Sequence, residues 1–102
     1  MSEYVKIASV SDLPPGQGKI VAVQGREIAL FNLNGSYCAI DNTCTHAGGP
    51  LGEGMLEGEE VECPWHGARF NVKTGAVCNP PADEGVTAYK VRVNGSDIEI
   101  EL

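Results

Sequence analysis

The sequence has no long apolar run, few basic residues and only two histidines, and each shortage narrows what the chain does. No apolar stretch approaches the roughly 20 residues a membrane-spanning helix needs, so no membrane association is expected. Met1-Ser2-Glu3-Tyr4-Val5-Lys6 shows no basic segment leading into an apolar one, so no secretory signal is read and a cytoplasmic location is expected. Seven basic residues stand against fourteen acidic ones, for a net charge of −7. That balance argues against nucleic acid and anionic lipid, whose phosphates repel such a chain, and favours plain solubility or a partner with a basic patch. No internal repeat or low-complexity tract is visible.

What is present reads as one all-β domain spanning residues 1–102. Short runs rich in Val, Ile, Tyr and Phe recur at 4–8, 19–23, 27–33, 37–40, 60–63, 69–72, 87–93 and 97–102, most too short for helices. Turn signals separate them, including Gln24-Gly25, Asn34-Gly35, Lys73-Thr74-Gly75 and Asn94-Gly95. The last run alternates cleanly, with Ile98, Ile100 and Leu102 on one face and Asp97, Glu99 and Glu101 on the other. The pattern predicts a small antiparallel sandwich or barrel. Residues 41–67, rich in glycine and poor in strand signal, interrupt it and are expected to form an inserted subdomain, with 1–40 and 68–102 as the basal part.

Four cysteines in a chain of this kind suggest metal or catalysis before disulfides. Cys44 and Cys63 each lie beside one of the two histidines, in Cys44-Thr45-His46-Ala47-Gly48-Gly49-Pro50-Leu51 and Cys63-Pro64-Trp65-His66-Gly67. The pattern is C-x-H, sixteen intervening residues, then C-x-x-H. Zinc uses the same donor types, but a C-x-H pair is tight for two corners of one tetrahedron. A catalytic Cys-His pair leaves the second pair without a role. Cys38 and Cys78 have no histidine neighbour and are expected to be small buried hydrophobes.

The two motifs, with the strand-and-turn layout around them, resemble the Rieske ferredoxins over nearly the whole chain. The resemblance implies a Rieske-type all-β fold and one 2Fe–2S cluster, held by Cys44 and Cys63 on the inner iron and by His46 and His66 on the outer one. Two thiolates and two neutral imidazoles leave the oxidised cluster uncharged, so an added electron costs less than in an all-cysteine centre. Gly48, Gly49 and Gly67 are expected to let backbone N–H groups approach the cluster sulfurs, with Pro50 and Pro64 stiffening the loops and Trp65 shielding the cluster from water.

The same resemblance separates subclasses. Respiratory Rieske proteins join their cluster loops by a disulfide and place serine and tyrosine hydroxyls nearby; Gly49, Trp65, Ala68 and Phe70 stand at those positions here. The chain is instead similar to the ferredoxin component of bacterial ring-hydroxylating dioxygenase systems. That implies a one-electron carrier, with no substrate chemistry of its own, between a flavin-dependent NAD(P)H reductase and a terminal oxygenase. A monomer is expected. Alternatives are the electron-transfer subunit of a nitrite-reductase-like enzyme and a redox-sensing interaction module. Glu53, Glu57, Glu59, Glu60 and Glu62 crowd the segment between the motifs, either as a solvated rim or to steer docking onto basic patches.

Overall fold

The computed structural model describes residues 3–43, 50–65, 67–79 and 85–101. Eleven strands run in the order β1 (Tyr4–Ser9), β2 (Gly18–Val23), β3 (Arg26–Leu33), β4 (Ser36–Asp41), β5 (Met55–Glu57), β6 (Glu60–Glu62), β7 (Arg69–Asn71), β8 (Val77–Asn79), β9 (Ala88–Tyr89), β10 (Val91–Asn94) and β11 (Asp97–Glu101). Single turns of 3₁₀ helix occupy Val10–Asp12 and Leu51–Glu53. The strands form three antiparallel sheets, ordered β1-β11-β10, β2-β3-β4-β9 and β5-β6-β7-β8.

The β2-β3-β4-β9 sheet is the middle layer, because β3 is buried on both faces. Successive side chains of a strand point to opposite sides. Ile28 and Leu30 therefore enter one core with Ala8, Leu13, Ala39, Ile98 and Ile100. Ala29 and Phe31 enter the other with Ile40, Leu51, Val61, Cys63, Ala68, Phe70 and Val72. A continuous apolar run such as Ile28-Ala29-Leu30-Phe31 is what such a doubly covered strand requires.

Turn chemistry sets the registers. Gln24-Gly25 and Asn34-Gly35 both take positive φ at both positions, the two-residue geometry whose twist matches a hairpin. At the last hairpin Asn94 stays in its strand opposite Asp97, and Gly95 alone takes the positive φ.

The structure departs from the sequence expectations in three places. β5 and β8 carry no alternation over three residues, and each exists because a neighbouring strand supplies its hydrogen bonds. The run 87–93 splits at Lys90: β9 pairs with β4 in the middle sheet, and β10 pairs with β11 in the outer one. The third sheet also continues to Asn79, so β7 and β8 hydrogen-bond with the inserted part and not with the basal part expected from residue 68 onward. Leu102 lies outside the described residues. No helix among the described residues is long and apolar enough to cross a membrane.

Tyr89 ties the short β9 to β4: its hydroxyl donates to Asp41 Oδ1 at 2.6 Å and accepts from Arg26 Nη1 at 3.3 Å. Burial, then the Asp41 carboxylate, push the phenol above its ordinary 10.0. Because the folded state favours the neutral phenol, the stability it lends is complete below pH 10.0 and is lost as pH rises through the raised value. Tyr89→Phe is expected to cost about 1 kcal/mol at neutral pH and to flatten the alkaline fall in stability, measured by denaturant unfolding across pH. Parallel alkaline profiles for the two proteins contradict this.

Candidate metal centre

Two short segments leave one edge of the second core. The first follows β4. Thr43 pairs antiparallel with Pro50, which draws the chain together at a neck on either side of residues 44–49, themselves outside the described residues. Beyond the neck, Leu51 is fully buried, and Met55 pairs with Glu62 at the end of β6. The second segment starts one residue later, at Cys63. Its N–H donates to the Ala68 carbonyl at 2.7 Å, while its own carbonyl accepts the Gly67 N–H at 3.1 Å. Gly67 takes φ +76, which a side chain resists, and this reverses the chain into β7. Leu51 and Cys63 share one core, so both segments are anchored in the same packed cluster.

Of the four expected ligands, Cys63 is described and is 1% exposed. Cys44, His46 and His66 lie outside the described residues, as do Gly48 and Gly49. Among the described residues no group of three metal-ligating side chains comes together. Cys63 nevertheless offers one donor for such a group: a buried sulfur at the start of a tight turn. Thiolate with imidazole is also the donor chemistry of a histidine-ligated 2Fe–2S centre.

The remaining cysteines are held as thiols. Burial raises the Cys38 pKa, with Glu59 adding to the shift and Lys73 opposing it. Cys38 is half-buried against the second core. Cys78 corrects the expectation of burial. It lies exposed on the outer face of the short edge strand β8, because Val77 takes the inward position opposite Phe70. Partial loss of hydration, then Glu60, push its thiol upward. Neither cysteine belongs to a group of three metal-ligating side chains among the described residues. Trp65 is 57% exposed, with more than half of its surface open to solvent.

The crowded carboxylates were read from the sequence without their counter-ion. Arg69 lies 3.4 Å from Glu57, 3.5 Å from Glu60 and 3.4 Å from Glu62 on the outer face of the third sheet. Hydrogen bonding to Glu57 is the first cause of its raised pKa. Lys73 pairs with Glu59 at 3.2 Å. The outer face is therefore less negative than the count of glutamates suggests. Strand alternation carried the signal, since Glu60, Glu62 and Arg69 all occupy outward positions of adjacent strands. Asn42, also missed, is 3% exposed and accepts the Gly52 N–H at 2.7 Å through Oδ1. An asparagine at the end of a strand is a recognised side-chain anchor for the following loop.

Residues 3–90 match the model of the Rieske [2Fe-2S] domain. The chain belongs to the Rieske [2Fe–2S] family. It is 35% identical to a naphthalene 1,2-dioxygenase system ferredoxin component from Pseudomonas aeruginosa, over 98% of this chain and 96% of that one. It superposes on the ferredoxin of carbazole 1,9a-dioxygenase from Nocardioides aromaticivorans with TM-score 0.91 and 37% identity, covering 95% of each chain. A chain in the complex of reduced oxygenase and oxidized ferredoxin of carbazole 1,9a-dioxygenase gives TM-score 0.89 and 32% identity, covering 95% of this chain and 91% of that one. A terminal oxygenase of carbazole 1,9a-dioxygenase, at 23% identity and TM-score 0.85, shares the fold over only 29% of its own length. This Rieske protein therefore has the all-β fold read from the sequence and carries a 2Fe–2S cluster as an electron-transfer protein.

Gly67→Ala tests the turn. No atom of the described residues crowds a new Cβ there, and the backbone strain of a side chain at positive φ is expected to cost about 1–2 kcal/mol in denaturant unfolding. An unchanged unfolding midpoint contradicts the turn as described.

Proposed function

We propose that this chain is the soluble one-electron carrier of a ring-hydroxylating dioxygenase-type system. It takes electrons from a flavin-dependent NAD(P)H reductase and delivers them to a terminal oxygenase, as a cytoplasmic monomer. The observation that carries this reading is the correspondence with dioxygenase ferredoxin components over nearly the full length of both chains. The ferredoxin of the carbazole system forms a complex with its oxygenase, which supports the same kind of partner here.

In this reading Cys44 and Cys63 hold the inner iron and His46 and His66 the outer one, on a cluster-binding part running from about residue 41 to the end of β8 at Asn79. When bound, the cluster supplies a single-electron couple. The chain's own residues set its surroundings. Cys63 is buried in the second core, and Pro64 and Trp65, the two residues between it and His66 in sequence, are exposed. Ala68 and Phe70, both fully buried, bring no side-chain donor toward the sulfurs. Lost donors make reduction less favourable, so the potential falls near the low end of the Rieske range, about −150 mV.

Redox titration is expected to return about that value, and a midpoint above zero contradicts the assignment to this subclass. Ligated imidazole keeps its outer N–H at neutral pH in the oxidised state and releases it more readily than in the reduced state. The potential is therefore expected to fall with pH only in the alkaline range. Replacing Cys44, His46, Cys63 or His66 one at a time is expected to abolish the iron chromophore, read as iron per chain. Retention of both irons in any of the four variants contradicts the ligand set. Adding the protein to a flavin-dependent NADH reductase and a Rieske-type terminal oxygenase is expected to restore NADH-dependent aromatic oxidation. Equal turnover without it removes the carrier role.

A further inference from the structure

Asn42 is one of two buried polar side chains among the described residues, and it sits two positions before Cys44. Its backbone N–H donates to the Glu27 carbonyl at 3.1 Å, fixing it to the start of β3. Its carbonyl accepts the Leu51 N–H at 2.7 Å, and its side-chain Oδ1 accepts the Gly52 N–H at 2.7 Å. One residue on the near side of the 44–49 loop thus holds two consecutive N–H groups on the far side.

The geometry of the neck explains why a side chain is used. Pro50, paired with Thr43, has no N–H to donate across it. The next donors are those of Leu51 and Gly52, and Asn42 takes both. The far side is also pressed close, since a Cβ at Gly52 would lie 2.4 Å from Ile20 Cγ1 and 3.0 Å from Asn42 Oδ1. Asn42 therefore closes the neck with two hydrogen bonds, one to its backbone carbonyl and one to its side chain, next to the Thr43–Pro50 bridge.

We infer that Asn42 is a positioning residue for the first ligand segment, holding its two ends together through the clamp on Leu51 and Gly52 and so setting how firmly the cluster is held. The inference rests on the reading of Cys44 and His46 as ligands. Without Oδ1 the buried Gly52 N–H loses its acceptor, and the neck relaxes to find another. Groups that orient metal ligands in this way change affinity by about 10- to 100-fold when removed.

Asn32 provides the control. It is equally buried at 3% exposure, donates Nδ2 to the Leu13 carbonyl at 2.8 Å and accepts the Gly35 N–H at 2.7 Å through Oδ1. Its partners belong to the basal turns. A merely structural role makes the two asparagines equivalent.

The test uses the full chain with its cluster. Asn42→Ala, Asn42→Asp and Asn32→Ala are compared by denaturant unfolding, by the rate at which a chelator bleaches the visible absorbance, and by electron paramagnetic resonance of the reduced state. Both alanine variants are expected to unfold more easily. Only Asn42→Ala is expected to bleach about 10-fold faster or more and to change the resonance line shape. Asn42→Asp keeps an acceptor for Gly52 and is expected to keep the wild-type line shape. If Asn42→Ala does not fold, Asn42→Ser carries the same comparison. Equal bleaching rates and identical line shapes in Asn42→Ala and Asn32→Ala overturn the inference while leaving the ligand reading intact. Retention of an unaltered cluster by Cys44→Ser removes the ligand reading, and this inference with it.

Discussion

Both segments proposed to hold the cluster are rooted in a single buried core, and the proposed site depends on that shared root. Leu51, just beyond the neck of the first loop, and Cys63, at the start of the second, pack with Phe31, Val61, Ala68 and Phe70 under full burial. Close packing of this kind moves as a unit, so the residues that anchor the two segments are held in one rigid body. The doubly covered strand β3 makes this possible. One of its faces holds the basal layer and the other holds the layer that carries the centre.

A carrier must protect a reactive group and yet release an electron at its surface, and the sequence divides these tasks between neighbouring residues. Cys63 is buried, whereas Pro64 and Trp65 immediately after it are exposed. The hydrogen bonds between Cys63, Gly67 and Ala68 make the change from core to surface within one turn. Charge is divided in a similar way. The glutamates of β5 and β6 give the third sheet its negative outer face, and Arg69 gathers three of them so that their mutual repulsion does not open the sheet.

Much of this was legible in the sequence because the governing signals are local. Alternation marked the strands around Ile98 and Ile100, and Gln24-Gly25 and Asn34-Gly35 marked the hairpins. The C-x-H and C-x-x-H spacing marked the family. What escaped depends on pairing between distant segments. β5 and β8 are three-residue strands defined by their neighbours, and the exposure of Cys78 follows from Val77 taking the inward place opposite Phe70. Arg69 and Asn42 show the same limit: each is an ordinary residue in sequence, given its role by partners seven to twelve positions away.

The central claim is a pair of irons held by thiolate on one side and imidazole on the other, at the exposed edge of a β scaffold. Iron analysis combined with electron paramagnetic resonance of the dithionite-reduced protein tests it most directly. The account predicts two irons per chain and the low average g-value of a histidine-ligated cluster. Zinc in place of iron, or the higher average g-value of an all-cysteine cluster, contradicts it.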